Sequence, residues 1–469
     1  MARGAARFST AVTVSRTLVI GLAVLFAAIA AWFALAARAE TEVHFPSPDS
    51  TLGTVPMPKG AAIGISGCLA SACHGAPAEQ LLAGKINGPT WMSSGSCWFA
   101  ADPHAGTFDL LTDHPRRPVR VTAGEMMKRL GSPIPATEDS RCLACHTNPS
   151  LANPDRGEPA RVLAIRREGI GCEGCHGNAG GWLREHTAGS DRVNLSASGM
   201  TIMTAVPDRA AVCMGCHVGA PRDRGYPVRD MNHDMIAAGH PRLHFDFGES
   251  MRRLPRHWDK KKTQTNPARE WLLGRVARAE AACKLLADRA DRAARSDSRT
   301  PWPEFAEYNC ASCHHAIPDP PRVDTLHLED RRAGTLSWQT IWPATTDPRA
   351  GRSALAPVLA SMRNPGSREH LSELSSQAAH NLAALKEKIV NLPDADIEEL
   401  ARSVFQESLL TTADTDLLGQ LLLGLSSLER STPRLGADAV EAAFDQYRQR
   451  DWAGVRRSLK DLLPRMQRR

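Results

Sequence analysis

Four short segments of the 469-residue chain share the arrangement Cys-x-x-Cys-His. Two thiols at this spacing can add to the two vinyl groups of one haem, and the histidine that follows can place its imidazole on the iron. Zinc sites and thioredoxin-type pairs also use Cys-x-x-Cys, but neither needs a histidine directly after every second cysteine. The repeat therefore predicts covalently bound haem c. Its members are Cys142, Cys145 and His146; Cys172, Cys175 and His176; Cys213, Cys216 and His217; and Cys310, Cys313 and His314.

A fifth segment has the same residue types at a different spacing. Cys68 and Cys73 precede His74 in the sequence CLASACH, with four residues between the cysteines instead of two. A haem tolerates a longer loop between its two thioethers, so the segment is compatible with attachment. Spacing alone leaves it ambiguous.

Histidines outside these motifs are candidates for the second axial position of each iron. An iron with two histidine ligands is saturated and suits electron transfer, whereas an open position can bind a small molecule. The better-placed candidates are His104, His186, His233 and His240. The alternative for each is a solvent-exposed or capping histidine that binds no metal. Seven residues separate His233 from His240, so a continuous helix would bring both to one face. Weaker candidates are His315, His114 and His244, while His44, His257 and His327 are typical of ordinary surface residues.

The N-terminal segment is typical of an exported protein. Arg3, Arg7 and Arg16 precede an uncharged, mostly apolar run over residues 17–37, which ends in the cleavage-like sequence Ala37-Arg38-Ala39. The pattern fits a signal peptide, and the run is also long enough to span a bilayer. We expect residues 1–39 to be either a cleaved signal or an inner-membrane anchor, with a periplasmic or otherwise exported body. Residues 40–60 are rich in Pro, Ser and Thr and predict a linker.

The formal net charge of +6 does not indicate a nucleic-acid partner. Residues 1–39 contain four arginines and no acid, so cleavage would remove four of these six positive charges. Each haem also adds two propionates. We therefore expect no nucleic acid among the partners.

Composition divides the rest of the chain into two parts. Residues 61–325 are interrupted by Gly and Pro and carry the haem motifs, which predicts short helices and loops packed on haems. One longer helix is predicted over residues 268–295, with Cys283 buried on its apolar face or, alternatively, in a disulfide with Cys97. Residues 350–469 contain no cysteine, and their apolar residues recur at helical spacing, which predicts a helical bundle. The predicted fold class is mainly α.

The order of the motifs resembles the multihaem cytochromes c related to the tetrahaem electron acceptor of hydroxylamine oxidoreductase. The most specific segment is GIGCEGCHG over residues 169–177, followed by His186, and the resemblance covers about residues 60–220. In that family the first haem motif precedes a Trp and a His-Ala pair, here His104-Ala105, so the resemblance implies that Cys68–His74 is the first of five sites. One haem of the tetrahaem relative lacks a distal ligand. Motif order implies that its counterpart here is bound by His146, which would then face an open iron.

These observations predict a pentahaem c-type cytochrome that passes electrons between redox partner proteins. One alternative is an oxidoreductase acting on nitrite or hydroxylamine at an open iron. The pentahaem nitrite reductases often replace one proximal histidine by Lys, and no Cys-x-x-Cys-Lys occurs here. Another alternative is the haem subunit of a membrane redox complex, with the C-terminal bundle as its docking module.

Overall fold

The structure is a computed structural model of the chain. It describes residues 60–77, 90–154, 158–223, 225–255, 257–258, 265–295, 300–310, 313–314, 338, 350–363, 365–411, 415–431, 433 and 435–467. The predicted signal or anchor over residues 1–39 lies outside these ranges, as do residues 40–59 of the predicted linker. His44, His315 and His327 lie outside them as well.

Short helices form the part of the chain that carries the haem motifs. The α-helices are α1 Ser94–Ala101, α2 Ala123–Arg129, α3 Ser140–His146, α4 Ala160–Arg167, α5 Cys172–His176, α6 Leu183–Thr187, α7 Arg192–Ala197, α8 Val206–His217, α9 His233–Ala238 and α10 Phe247–Arg253. Single turns of 3-10 helix lie at Ile65–Gly67, Thr90–Ser93, Pro103–Gly106, Phe108–Leu111, Pro149–Leu151, Ala179–Gly181 and Phe305–Glu307. Helices α3, α5 and α8 each end at the histidine of a motif. Residues three apart share a helix face, so each of these helices turns both of its cysteines to one side.

Side-chain caps define where several of these short helices begin. Asp139 accepts a hydrogen bond from the backbone N–H of Arg141 at the start of α3. Asn232 accepts one from the N–H of Met235 at the start of α9. Each cap satisfies an N–H that has no partner inside the helix, and its loss typically costs about 1 kcal/mol.

The helix that begins at His233 ends before it reaches His240. Gly239 has φ +124°, and a Cβ at that position would lie 2.8 Å from Val121 Cγ2. Only glycine adopts this backbone conformation readily, so α9 ends at Ala238 and His240 lies outside it. The two histidines therefore do not share one continuous helix.

One long helix, α11 Pro267–Ala294, connects the two halves of the described chain. The side chain of Asn266 caps it by accepting from the N–H groups of Ala268 and Arg269. Buried residues occur on every side of the helix, including Trp271, Leu272 and Leu273, as expected for a helix surrounded by protein. Cys283 is also buried on α11. It and Cys97 are both free thiols, so the structure does not contain the alternative disulfide.

The C-terminal helices pack around α11. They are α12 Ala350–Met362, α13 Arg368–Asn391, α14 Asp394–Thr411, α15 Thr415–Ser431, α16 Ala437–Arg448 and α17 Trp452–Gln467. Their apolar stripes are buried, as Leu382, Val404, Leu425 and Leu459 illustrate. The same apolar cluster includes Met214 of α8, between the two cysteines of a haem motif. The bundle therefore supports a haem-carrying helix directly.

A buried ion network also joins the bundle to the motif-bearing chain. Arg289 on α11 donates hydrogen bonds to Asp230 and to Glu307. Glu307 lies three residues before Cys310 and also accepts a hydrogen bond of 2.8 Å from Trp338 Nε1. The Arg289 and Glu307 side chains are each 5% exposed. The network fixes the approach to the last haem motif against α11.

The mainly α fold class predicted from the sequence is confirmed. In the described segments, β-structure amounts to isolated bridges such as Ala220 with Arg229. Among those same segments, no helix combines the length and apolarity that a membrane span requires.

Candidate haem-binding site

A large cavity lies among the short helices. Its volume is about 1870 Å³, well above the roughly 300–1,000 Å³ of ordinary ligand pockets. Eight motif cysteines line it: Cys68, Cys73, Cys142, Cys145, Cys172, Cys175, Cys213 and Cys216. Much of the remaining lining is apolar, including the buried side chains of Leu111, Met127 and Met235. The eight cysteines are those of four of the five motifs.

The cysteines of different motifs approach one another inside the cavity. Cys68 is in hydrogen-bond contact with Cys172, and Cys145 with Cys216. The first motif therefore adjoins the third, and the second adjoins the fourth.

Three pairs of histidines face each other across the cavity at nearly equal distances. The ring centroids are 6.1 Å apart for His74 and His186, 6.2 Å for His104 and His217, and 6.3 Å for His146 and His240. Metal–imidazole bonds are about 2 Å long, and two of them plus the distance from each nitrogen to its ring centre amount to roughly 6 Å. Each pair thus has the separation of two rings that share one metal ion. One member of every pair comes from a haem motif.

Hydrogen bonds at the other ring nitrogen orient several of these imidazoles. The Nδ1 of His146 donates to the carbonyl oxygen of Thr107 at 2.8 Å, and that of His240 to the carbonyl of Pro241 at 2.7 Å. His104 Nδ1 lies 2.8 Å from Asp102 Oδ1, and His74 Nδ1 2.9 Å from Ser94 Oγ. A proton held on Nδ1 leaves the Nε2 lone pair free for a metal.

Burial favours the neutral form of four of the cavity histidines. Loss of solvent lowers the pKa of His176 and of His217 to about 4 each. Burial also lowers the pKa of His146 and His240. A histidine must be neutral to bind a metal, so the rings are in their ligating form at neutral pH.

The pairing of His146 differs from what the resemblance implied. An open iron was expected on His146, but His240 stands opposite it at the same separation as in the other two pairs. The turn at Gly239, rather than a helix, brings His240 to this position. The geometry therefore argues against an open position there.

His257 is a cavity residue that the sequence reasoning placed at the surface. It lines the cavity with His176, and its charge is the largest electrostatic influence on the pKa of His176 after burial itself. His257 Nδ1 lies 3.3 Å from the carbonyl oxygen of Pro255, which leaves Nε2 available. No motif or spacing in the sequence marks His257, because only the fold brings it to the cavity.

The first motif accommodates its longer loop in a turn. The backbone N–H of His74 donates to the carbonyl of Cys68 at 3.2 Å, which closes the loop between the two cysteines. Cys68 is buried, Cys73 is exposed, and both line the cavity. His74 still faces His186, so the two extra residues leave its ring in a ligating position.

The fifth motif lies beside the cavity rather than in its lining. Cys310, Cys313 and His314 are exposed, and Arg242, which lines the cavity, donates to Cys310 Sγ at 3.0 Å. His233 is nearby, because its backbone N–H donates to Glu304 at 2.8 Å. The centroid of its ring also lies 5.8 Å from that of the Phe305 ring. The structure thus places His233 with the chain that leads into this motif.

Comparison with known proteins supports a haem site. No curated protein and no solved structure gave a match. Residues 99–177 match the family described as cytochrome c554 and c-prime. That segment includes His104 and the motifs ending at His146 and His176. Over these residues the chain is similar to multihaem c-type cytochromes, whose haem c is bound covalently.

Proposed function

We propose that this chain is an exported electron-transfer cytochrome that carries five covalently bound haems. The observation that supports it most directly is the set of three histidine pairs separated by 6.1–6.3 Å. Irons with two protein ligands have no position for a substrate, which favours a carrier over an enzyme acting on nitrite or hydroxylamine. When bound, each haem supplies a one-electron couple.

The residues of the cavity have three tasks in this proposal. Paired cysteines attach each macrocycle, in three of the motifs from one side of a helix, and paired histidines saturate its iron. Hydrogen bonds such as that from His146 to Thr107 hold the rings in one orientation. Apolar residues such as Leu111 and Met127 exclude water, so that little reorganisation accompanies a change of charge.

We infer five axial pairs. Beside the three pairs above, we assign His257 to the iron bound by His176, and His233 to the iron bound by His314. The first assignment is supported by the shared cavity and the second by the contacts of His233 with Glu304 and Phe305.

Export and redox partners belong to the same proposal. Haem c is attached outside the cytoplasm, and residues 1–39 have the pattern of a signal or anchor. We propose protein donors and acceptors of electrons as the partners, and no nucleic acid.

The decisive experiment combines a haem count with spectroscopy on the purified protein. A pyridine haemochrome assay should give five haems per chain, and the ferric and ferrous spectra should be low-spin. Addition of carbon monoxide, nitrite or hydroxylamine should leave the spectra unchanged. A high-spin haem that binds and converts nitrite or hydroxylamine would contradict the carrier and favour the enzyme.

A further inference from the structure

A buried carboxylate lies against one of the paired histidines. Asp102 Oδ1 accepts hydrogen bonds from the backbone N–H of His104 at 2.9 Å and is 2.8 Å from its Nδ1. The side chain of Asp102 is only 6% exposed. This contact points Nε2 of His104 away from the carboxylate, and the ring faces His217 at 6.2 Å.

Neutral oxygens lie beside the Nδ1 atoms of three other paired histidines. His146 and His240 donate to backbone carbonyls, and His74 is next to a serine hydroxyl. A carboxylate attracts the Nδ1 proton more strongly than a neutral oxygen does, which gives the imidazole more anionic character.

A more basic axial ligand stabilises ferric iron relative to ferrous iron, and hydrogen bonding around a haem is one of the main determinants of its potential. The burial of Asp102 strengthens its influence on the potential, since a buried charge is poorly screened by water.

We propose that Asp102 is a positioning residue that gives the iron between His104 and His217 the lowest reduction potential among the haems of the cavity. That iron is then the last of the cavity to accept an electron. The inference rests on the proposed function, because it requires that these histidines bind haem iron.

The chain offers a substitution that separates charge from structure. Asp102 also caps the turn Pro103–Gly106, and asparagine caps as well as aspartate does. Asp102→Asn thus retains an oxygen that can accept from the His104 backbone, while the negative charge is removed. Asp102→Ser retains a capping oxygen in a different side chain and provides a second, independent variant.

The test is a potentiometric titration of the holoprotein followed by visible spectra. Asp102→Asn and Asp102→Ser should each raise the lowest midpoint potential more than any other, with the same haem count and low-spin spectra as the wild type. Unchanged potentials, or a shift confined to a higher one, would overturn the inference.

Asp139→Asn is the matched control. Asp139 is also a buried capping carboxylate beside a haem motif, but its side chain pairs with Arg141 and contacts no ligand ring. Its substitution should leave the lowest potential unchanged, and an equal rise would overturn the role of the His104 contact. The haem count and carbon monoxide response of the wild type separate the two proposals. If the wild type has five low-spin haems but the potentials of Asp102→Asn are unchanged, only the role of Asp102 is refuted. If the wild type lacks haems or binds carbon monoxide, the proposed electron-carrier function is refuted.

Discussion

The imidazole rings of His146 and His240 lie 6.3 Å apart with their planes at 89° to each other. Both rings donate from Nδ1 to a backbone carbonyl, so both direct Nε2 into the cavity. His240 reaches this position because the backbone at Gly239, with φ +124°, turns the chain out of α9. In the proposed ligation His240, which follows the fourth motif, takes the position that the resemblance implied to be open.

Removal of the ring at residue 240 should reopen that site. In His240→Ala, the iron on His146 loses its second protein ligand, and we expect one high-spin haem that binds carbon monoxide in the ferrous state. The haem count should stay at the wild-type value, because the thioethers are intact. The measurement is the carbon monoxide difference spectrum per chain. A fully low-spin variant would show that His240 is not the ligand.

Features that depend on local residue spacing could be predicted from the sequence, whereas features that depend on tertiary contacts could not. The motif cysteines could be recognised from sequence because Cys-x-x-Cys-His is complete within a single helical turn. The helices of residues 350–469 could be predicted because their apolar residues recur at helical spacing over long stretches. Distal ligands depend instead on tertiary contacts, so the sequence suggested candidates but not pairs. His257 was not among the candidates for this reason, since residues 177–256 separate it from the motif of His176.

His257 provides a second test of the ligand assignments. His257→Ala should generate one high-spin, carbon monoxide-binding haem, as a result of losing the ligand opposite His176. His114→Ala is the matched control, because His114 is exposed and lines no part of the cavity. The control should remain low-spin throughout. Equal carbon monoxide binding by both variants, or by neither, would contradict the role of His257.

The unusual first motif can be tested through covalent attachment. Replacement of both thiols in Cys68→Ser/Cys73→Ser should remove one haem per chain, which lowers the pyridine haemochrome count from five to four. Cys97→Ser is the matched control, because Cys97 is a buried free thiol that belongs to no motif. Its count should remain five. A wild-type count of four, unchanged in the double variant, would show that Cys68 and Cys73 attach no haem.

The ion network on α11 should be a large contributor to stability. Arg289→Met removes the buried cation that Asp230 and Glu307 share, which leaves the buried Glu307 carboxylate without it and Asp230 paired with Arg292 alone. Breaking a buried pair in this way costs about 3–5 kcal/mol in the free energy of unfolding.

Arg295→Met is the appropriate comparison for that loss. Its pair with Asp291 is exposed on both sides, at 64% and 59%, and exposed pairs are worth about 0–1 kcal/mol. Denaturant titrations of the two holoproteins, followed by far-UV circular dichroism, measure the difference. We expect Arg289→Met to unfold at a clearly lower denaturant concentration, while Arg295→Met stays near the wild type. Similar midpoints for the two variants would mean that the network does not tie the last haem motif to the bundle energetically.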